Sequence, residues 1–120
     1  NYVKKICLPF SRSKLMPIIM TARYQVRPQS INQCKQAINN LVEYVKINEK
    51  GTLYYIAKQE ILNPYAFLHT MIFQDDVALT LHRSSEAAER FVSVVYPSTI
   101  DPIEFKEYSE IAHNMDLSSR

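Results

Sequence analysis

The sequence predicts an α+β fold of the ferredoxin-like type, β-α-β-β-α-β around one antiparallel sheet. Three observations lead there. Residues 18–26 alternate between two faces, with Ile18, Met20, Ala22, Tyr24 and Val26 on one and Ile19, Thr21, Arg23 and Gln25 on the other. Ile31, Cys34, Ile38, Leu41, Val42 and Val45 then recur at helical spacing. Two β-branched and aromatic runs, residues 52–61 and 66–73, flank an Asn63-Pro64 turn and read as a hairpin.

Each element has its own start and stop. Residues 1–16 form an N-terminal arm in which Pro9, Ser11, Arg12 and Ser13 oppose a long regular element. Pro17 introduces the first strand and Arg27-Pro28 closes it, because proline cannot donate to a sheet ladder. Ser30 is the expected N-cap of the helix over residues 31–48. Gly51, the only glycine, follows that helix and is expected to close it in the left-handed conformation, which costs a residue with a Cβ more. Asp75-Asp76 supplies the N-cap of a short helix that reaches His82-Arg83. Ser84-Ser85 breaks it and Glu86 opens a second stretch carrying Ala88, Phe91, Val92 and Val95, ended by Pro97. A last strand is expected within residues 103–111, with Ile103, Phe105 and Glu107 alternating against Glu104, Lys106 and Tyr108. Residues 115–120 are a polar tail. Residues 17–114 are thus one domain, and apolar side chains on both faces of its sheet predict a homodimer with the sheets packed together.

Composition bounds the function. No apolar run approaches the roughly 20 residues of a membrane span. Cys7 and Cys34 lack metal or redox spacing, so the chain reads as reduced and cytoplasmic. The net charge of +2 conceals an asymmetry: +7 before Glu43, then 7 basic against 12 acidic residues from Glu43 onward. Without aromatic-basic interleaving or a nucleic-acid motif, that charge is read as neutralised within the fold or across a dimer, and nucleic acid is not an expected partner. A single glycine excludes a phosphate-cradling loop and a dinucleotide fingerprint. His69, His82 and His113 fall on unlike elements without metal-ligand spacing, so no metal is expected.

The order of two motifs carries a family resemblance. Glu49, Gly51, Thr52, Leu53 and Tyr55 form E-x-G-T-L-x-Y, and beyond the hairpin Phe73, Asp75, Ala78, Leu79 and His82 form F-x-D-x-x-A-L-x-x-H. Together they resemble the antibiotic biosynthesis monooxygenase (ABM) domain family over nearly the whole chain. The resemblance implies a dimeric α/β barrel and oxygenation without a cofactor, in which an electron-rich phenol, quinol or polyketide-like aromatic is deprotonated and passes an electron to O₂. Haem-degrading relatives use a tryptophan beside the haem, and this sequence has none. Where the family often places a glutamate on the second hairpin strand, this chain has Met71.

Such chemistry needs an aromatic-lined cavity, one base titrating near neutrality and one donor for the developing oxyanion. His82 is the expected base, since imidazole titrates in that range and it matches the family's histidine. His69 is the second catalytic candidate, sharing a strand face with Phe67, Met71 and Phe73, which are expected to line the substrate site. Tyr55 and Arg23 are the expected donors. The competing reading is a non-catalytic dimeric domain for ligand binding or interaction, in which His82 caps its helix and His69 is a packed, hydrogen-bonded core residue.

Overall fold

A computed structural model describes residues 17–115. The arm, Cys7 and residues 116–120 lie outside the described residues. Strands β1 (Ile18–Gln25), β2 (Thr52–Gln59), β3 (Ala66–Phe73) and β4 (Glu104–Tyr108) form one sheet in the order β2-β3-β1-β4, with every pairing antiparallel. Helices α1 (Ile31–Asn48), α2 (Asp76–Ser84) and α3 (Glu86–Val95) complete the expected α+β, ferredoxin-like arrangement. The core lies between the helices and one sheet face, where Ile18, Met20, Ala22 and Tyr24 of β1 meet Phe67, Met71 and Phe73 of β3. Cross-strand register explains that face: Tyr24 pairs with Phe67, Ala22 with His69 and Met20 with Met71. Cys34 is a free thiol buried in the same core.

The local stops work largely as the residues dictate. Asp75 accepts from the Ala78 N–H at 2.9 Å and Ser85 from the Ala88 N–H at 3.0 Å, so both short helices are capped by their own sequence. In the hairpin loop, Asn63 Oδ1 accepts from the Tyr65 N–H and its carbonyl from the Ala66 N–H. Ser30 does not cap α1 with its side chain. Pro28 opens a 3₁₀ turn over Pro28–Ser30 that runs directly into the helix. The last strand is shorter than expected, because Tyr108 already pairs with Ile19 and β1 begins at Ile18.

Gly51 is the clearest correction. Neither glycine nor any other described residue has a positive φ. The position is constrained by contact instead: a Cβ on Gly51 would stand 2.6 Å from Cβ of Ala78. The Gly51 carbonyl accepts from the Gln74 N–H at 2.8 Å, which ties this turn to the end of β3 and brings α2 close. Gly51→Ala is expected to cost about 1 to 3 kcal/mol through overpacking. A double-mutant cycle with Ala78→Gly should show a favourable coupling of about 1 kcal/mol, read by urea denaturation. Additive losses would remove the steric account.

Candidate functional site

The helices and the sheet do not close on each other completely. Between them lies a cavity of about 570 Å³, walled by Met20, Ala22 and Tyr24 of β1, Tyr55 of β2, His69, Met71 and Phe73 of β3, and by Leu79, His82 and Phe91 from the helices. Its surface is mainly apolar, and two polar constellations interrupt it.

The first is built on His82, in the last turn of α2. Its Nδ1 lies 2.9 and 3.1 Å from the two carboxylate oxygens of Glu49. Glu49 follows the end of α1 and also accepts from the Thr52 hydroxyl at 2.7 Å. Burial alone would raise the Glu49 carboxyl, but hydrogen bonds from His82 and Thr52 and the charge of His82 bring it below its ordinary value. It is therefore a carboxylate, which can only accept, so Nδ1 of His82 carries the hydrogen. The other ring nitrogen, Nε2, has no hydrogen-bond partner among the described residues. The ring is wedged against Phe73 and Tyr55, with centroids 5.2 and 5.7 Å away.

The second constellation surrounds His69, which is 1% exposed. Its Nε2 meets the Tyr24 hydroxyl and its Nδ1 the Tyr55 hydroxyl, each at 2.7 Å. Burial, with the nearby positive charges of Lys58 and His82, pushes the imidazole down to about 3, so it is neutral at physiological pH. Burial first, and for Tyr55 also the Glu49 carboxylate, raises both tyrosines well above the usual phenol range. Both therefore act as O–H groups and not as phenolates.

Of the residues expected at the site, His82, His69, Tyr55, Met71 and Phe73 converge on the cavity. Arg23 does not. Strand alternation sends it to the opposite sheet face, where it pairs with Glu60 on the surface. Phe67 is 2% exposed and stacks on Tyr24 with centroids 5.6 Å apart, outside the cavity wall. Of the residues that hydrogen-bond the two histidines, Glu49 and Tyr24 were not expected at the site. Tyr24 lies on the same strand face as Ala22 and Met20, a signal present in the alternation. Glu49 lies 33 residues before His82, and only the fold joins them. Its carboxylate reaches the cavity wall only through His82, from the end of α1.

Among the described residues no group of three or more His, Cys, Asp or Glu side chains is placed to hold a metal ion, and no helix is long and apolar enough to cross a membrane.

Comparison with solved structures supports the same architecture. A protein from Bacteroides thetaiotaomicron carrying the name "putative antibiotic biosynthesis monooxygenase" superposes with a TM-score of 0.79 at 13% identity, over 87% of this chain and 98% of that one. One of the same name from Caulobacter crescentus gives 0.76 at 16% identity, over 82% and 93%. A conserved protein from Methanosarcina mazei gives 0.71 at 21% identity, over 79% and 93%. At these identities the likeness establishes the fold alone. No curated protein matches the sequence. The sequence profile of the antibiotic biosynthesis monooxygenase family matches residues 17–94, most of the chain, and the protein belongs to that family.

Proposed function

We propose that this cavity is the active site of a cofactor-independent monooxygenase acting on a quinol or related phenol. The observation that carries the reading is the Glu49–His82 pair. A buried carboxylate holds one imidazole nitrogen, which leaves Nε2 as the lone pair available in an aromatic-lined wall. In its neutral form His82 takes the phenolic proton at Nε2, and the imidazolium so formed is stabilised by Glu49. The electron-rich anion then passes an electron to O₂, and recombination forms a peroxide on a ring carbon, which takes back the proton held by His82. Loss of the ring C–H proton with cleavage of the O–O bond releases water and leaves one oxygen as a new carbonyl. Overall a quinol and O₂ give a hydroxyquinone and water, with all four electrons drawn from the quinol. Tyr55 is positioned to donate to the substrate's developing oxyanion.

The working unit we propose is a homodimer. The sheet face turned away from the helices carries Ile19, Tyr54, Ile56, Leu68 and Tyr108 by register. Ile56 and Tyr108 are exposed there, an apolar surface suited to a second copy. The buried, unpaired Cys34 accords with a reducing cytoplasm.

The test is oxygen uptake over a panel of quinols, followed with and without catalase. Monooxygenation consumes oxygen with water as the second product, so catalase leaves the uptake unchanged. Simple two-electron oxidation makes peroxide, and catalase then returns half of the oxygen. Uptake at background over the whole panel would sink the reading.

A further inference from the structure

Counting protons around His69 narrows what the cavity holds. A neutral imidazole donates from one nitrogen and accepts at the other. Its two tyrosine neighbours therefore play opposite parts. One gives its hydroxyl proton to the ring, and the other receives the ring N–H and keeps its own O–H. Among the described residues each of these hydroxyls has His69 as its sole hydrogen-bond partner. One phenol O–H in the cavity wall is thus a donor without an acceptor, and buried polar groups are rarely left so.

His82 shows the complementary condition. Its Nδ1–H is committed to Glu49, and in the uncharged form of the ring Nε2 is an acceptor without a donor. Tyr55 stands beside both histidines, with its ring 5.7 Å from that of His69 and 5.7 Å from that of His82. Tyr24 contacts His69 alone of the two. A donor and an acceptor side by side in an apolar cavity match a ligand carrying an acceptor and a donor on adjacent atoms.

We infer that the cavity selects molecules with a ketone and a hydroxyl on neighbouring carbons, the ketone accepting from the Tyr55 hydroxyl and the hydroxyl donating to Nε2 of His82. This assigns the His69 hydrogen to Nδ1, where it is donated to Tyr55, while Tyr24 donates to Nε2. His69 is then a positioning residue that orients Tyr55. The inference rests on the reading of His82 given above and narrows its substrates to ortho-quinols, whose keto tautomers carry this pattern. Phe73 and Phe91 supply the flat apolar walls for the rings that flank it.

The test is anaerobic binding of a matched series: benzoin has both oxygens, deoxybenzoin only the ketone, and 1,2-diphenylethanol only the hydroxyl. Benzoin is expected to bind about tenfold or more tightly than either, each lost hydrogen bond leaving a buried partner unpaired. In Tyr55→Phe that advantage of benzoin over 1,2-diphenylethanol should vanish, whereas in Tyr24→Phe the order should persist. Equal affinities in the wild type, or loss of the order in Tyr24→Phe instead, would overturn the inference. Nitrogen NMR of His69 decides independently of any variant: a hydrogen on Nδ1 supports the assignment and one on Nε2 overturns it. Because binding needs no oxygen, the ligand preference and the oxygenase reading fail separately.

Discussion

Replacing His82 with alanine is expected to lower quinol-dependent oxygen uptake by about 10²-fold or more, the usual contribution of a positioned general base. The loss should fall mainly on kcat, with a smaller rise in KM, since the cavity walls that bind the substrate rings remain but Nε2 no longer accepts from the substrate hydroxyl. Alanine also takes from the buried Glu49 carboxylate the hydrogen bond of Nδ1, a loss that disturbs the fold as well as the chemistry. His82→Gln separates the two causes. Its amide N–H can still donate to Glu49, yet it offers no base, so it should fold as the wild type does and be as inactive as the alanine variant. Added imidazole should restore part of the rate to His82→Ala, where a hole exists to admit it. Glu49→Gln keeps an oxygen near Nδ1 but removes the charge that stabilises imidazolium, and a loss of about tenfold or more is expected, the scale on which partners orienting a histidine act. Wild-type rates in His82→Gln would remove the base from the mechanism.

How much of this was legible in the sequence depends on the range of the interaction concerned. Short-range signals read well. The alternation of residues 18–26, the stripe from Ile31 to Val45, and the caps at Asp75 and Ser85 are decided by neighbours a few residues apart. The fold class followed from their order. Gly51 failed because its cause lies in Ala78, on another element, whereas the helix-end signal beside it pointed to a backbone requirement. Arg23 failed although the information was present: it stands out of phase with Met20, Ala22 and Tyr24, and a strand side chain cannot change faces without a bulge. His82 was recognisable by position, but its partner was not. Nothing local links Glu49 to a histidine on a later helix, and Thr52 joins them only once Gly51 lets α2 approach. The Tyr24–His69–Tyr55 group was half visible for a similar reason. Each residue lies on the expected face of its own strand, and only the register β2-β3-β1 places both tyrosines on one imidazole.

That imidazole should also shape the acid stability of the protein. His69 is held neutral down to about 3 in the native state, whereas in the unfolded chain it titrates near the ordinary histidine value of about 6.5. Between those values the unfolded state binds a proton that the native state refuses. Stability is therefore untouched by His69 above pH ~6.5 and falls as the pH drops below it, by up to about 1.4 kcal/mol per pH unit. Glu49 acts in a different window. Its carboxyl is lowered in the fold, so its contribution is present above the unfolded carboxylate value of about 4.3 and is lost only below that. From pH 6.5 to 4.5 the two are separable. His69→Gln tests this, because an amide can accept from one tyrosine and donate to the other but does not titrate. At pH 8 the variant should be less stable than the wild type by about 1 kcal/mol, the cost of imperfect hydrogen bonds. On acidification to pH 4.5 the wild type should lose about 2 to 3 kcal/mol more than the variant, so the order of stabilities reverses. Urea denaturation midpoints across this range provide the measurement. Parallel pH profiles for the two proteins would show that His69 accepts a proton in the native state, and the neutral Tyr–His–Tyr arrangement would have to be given up.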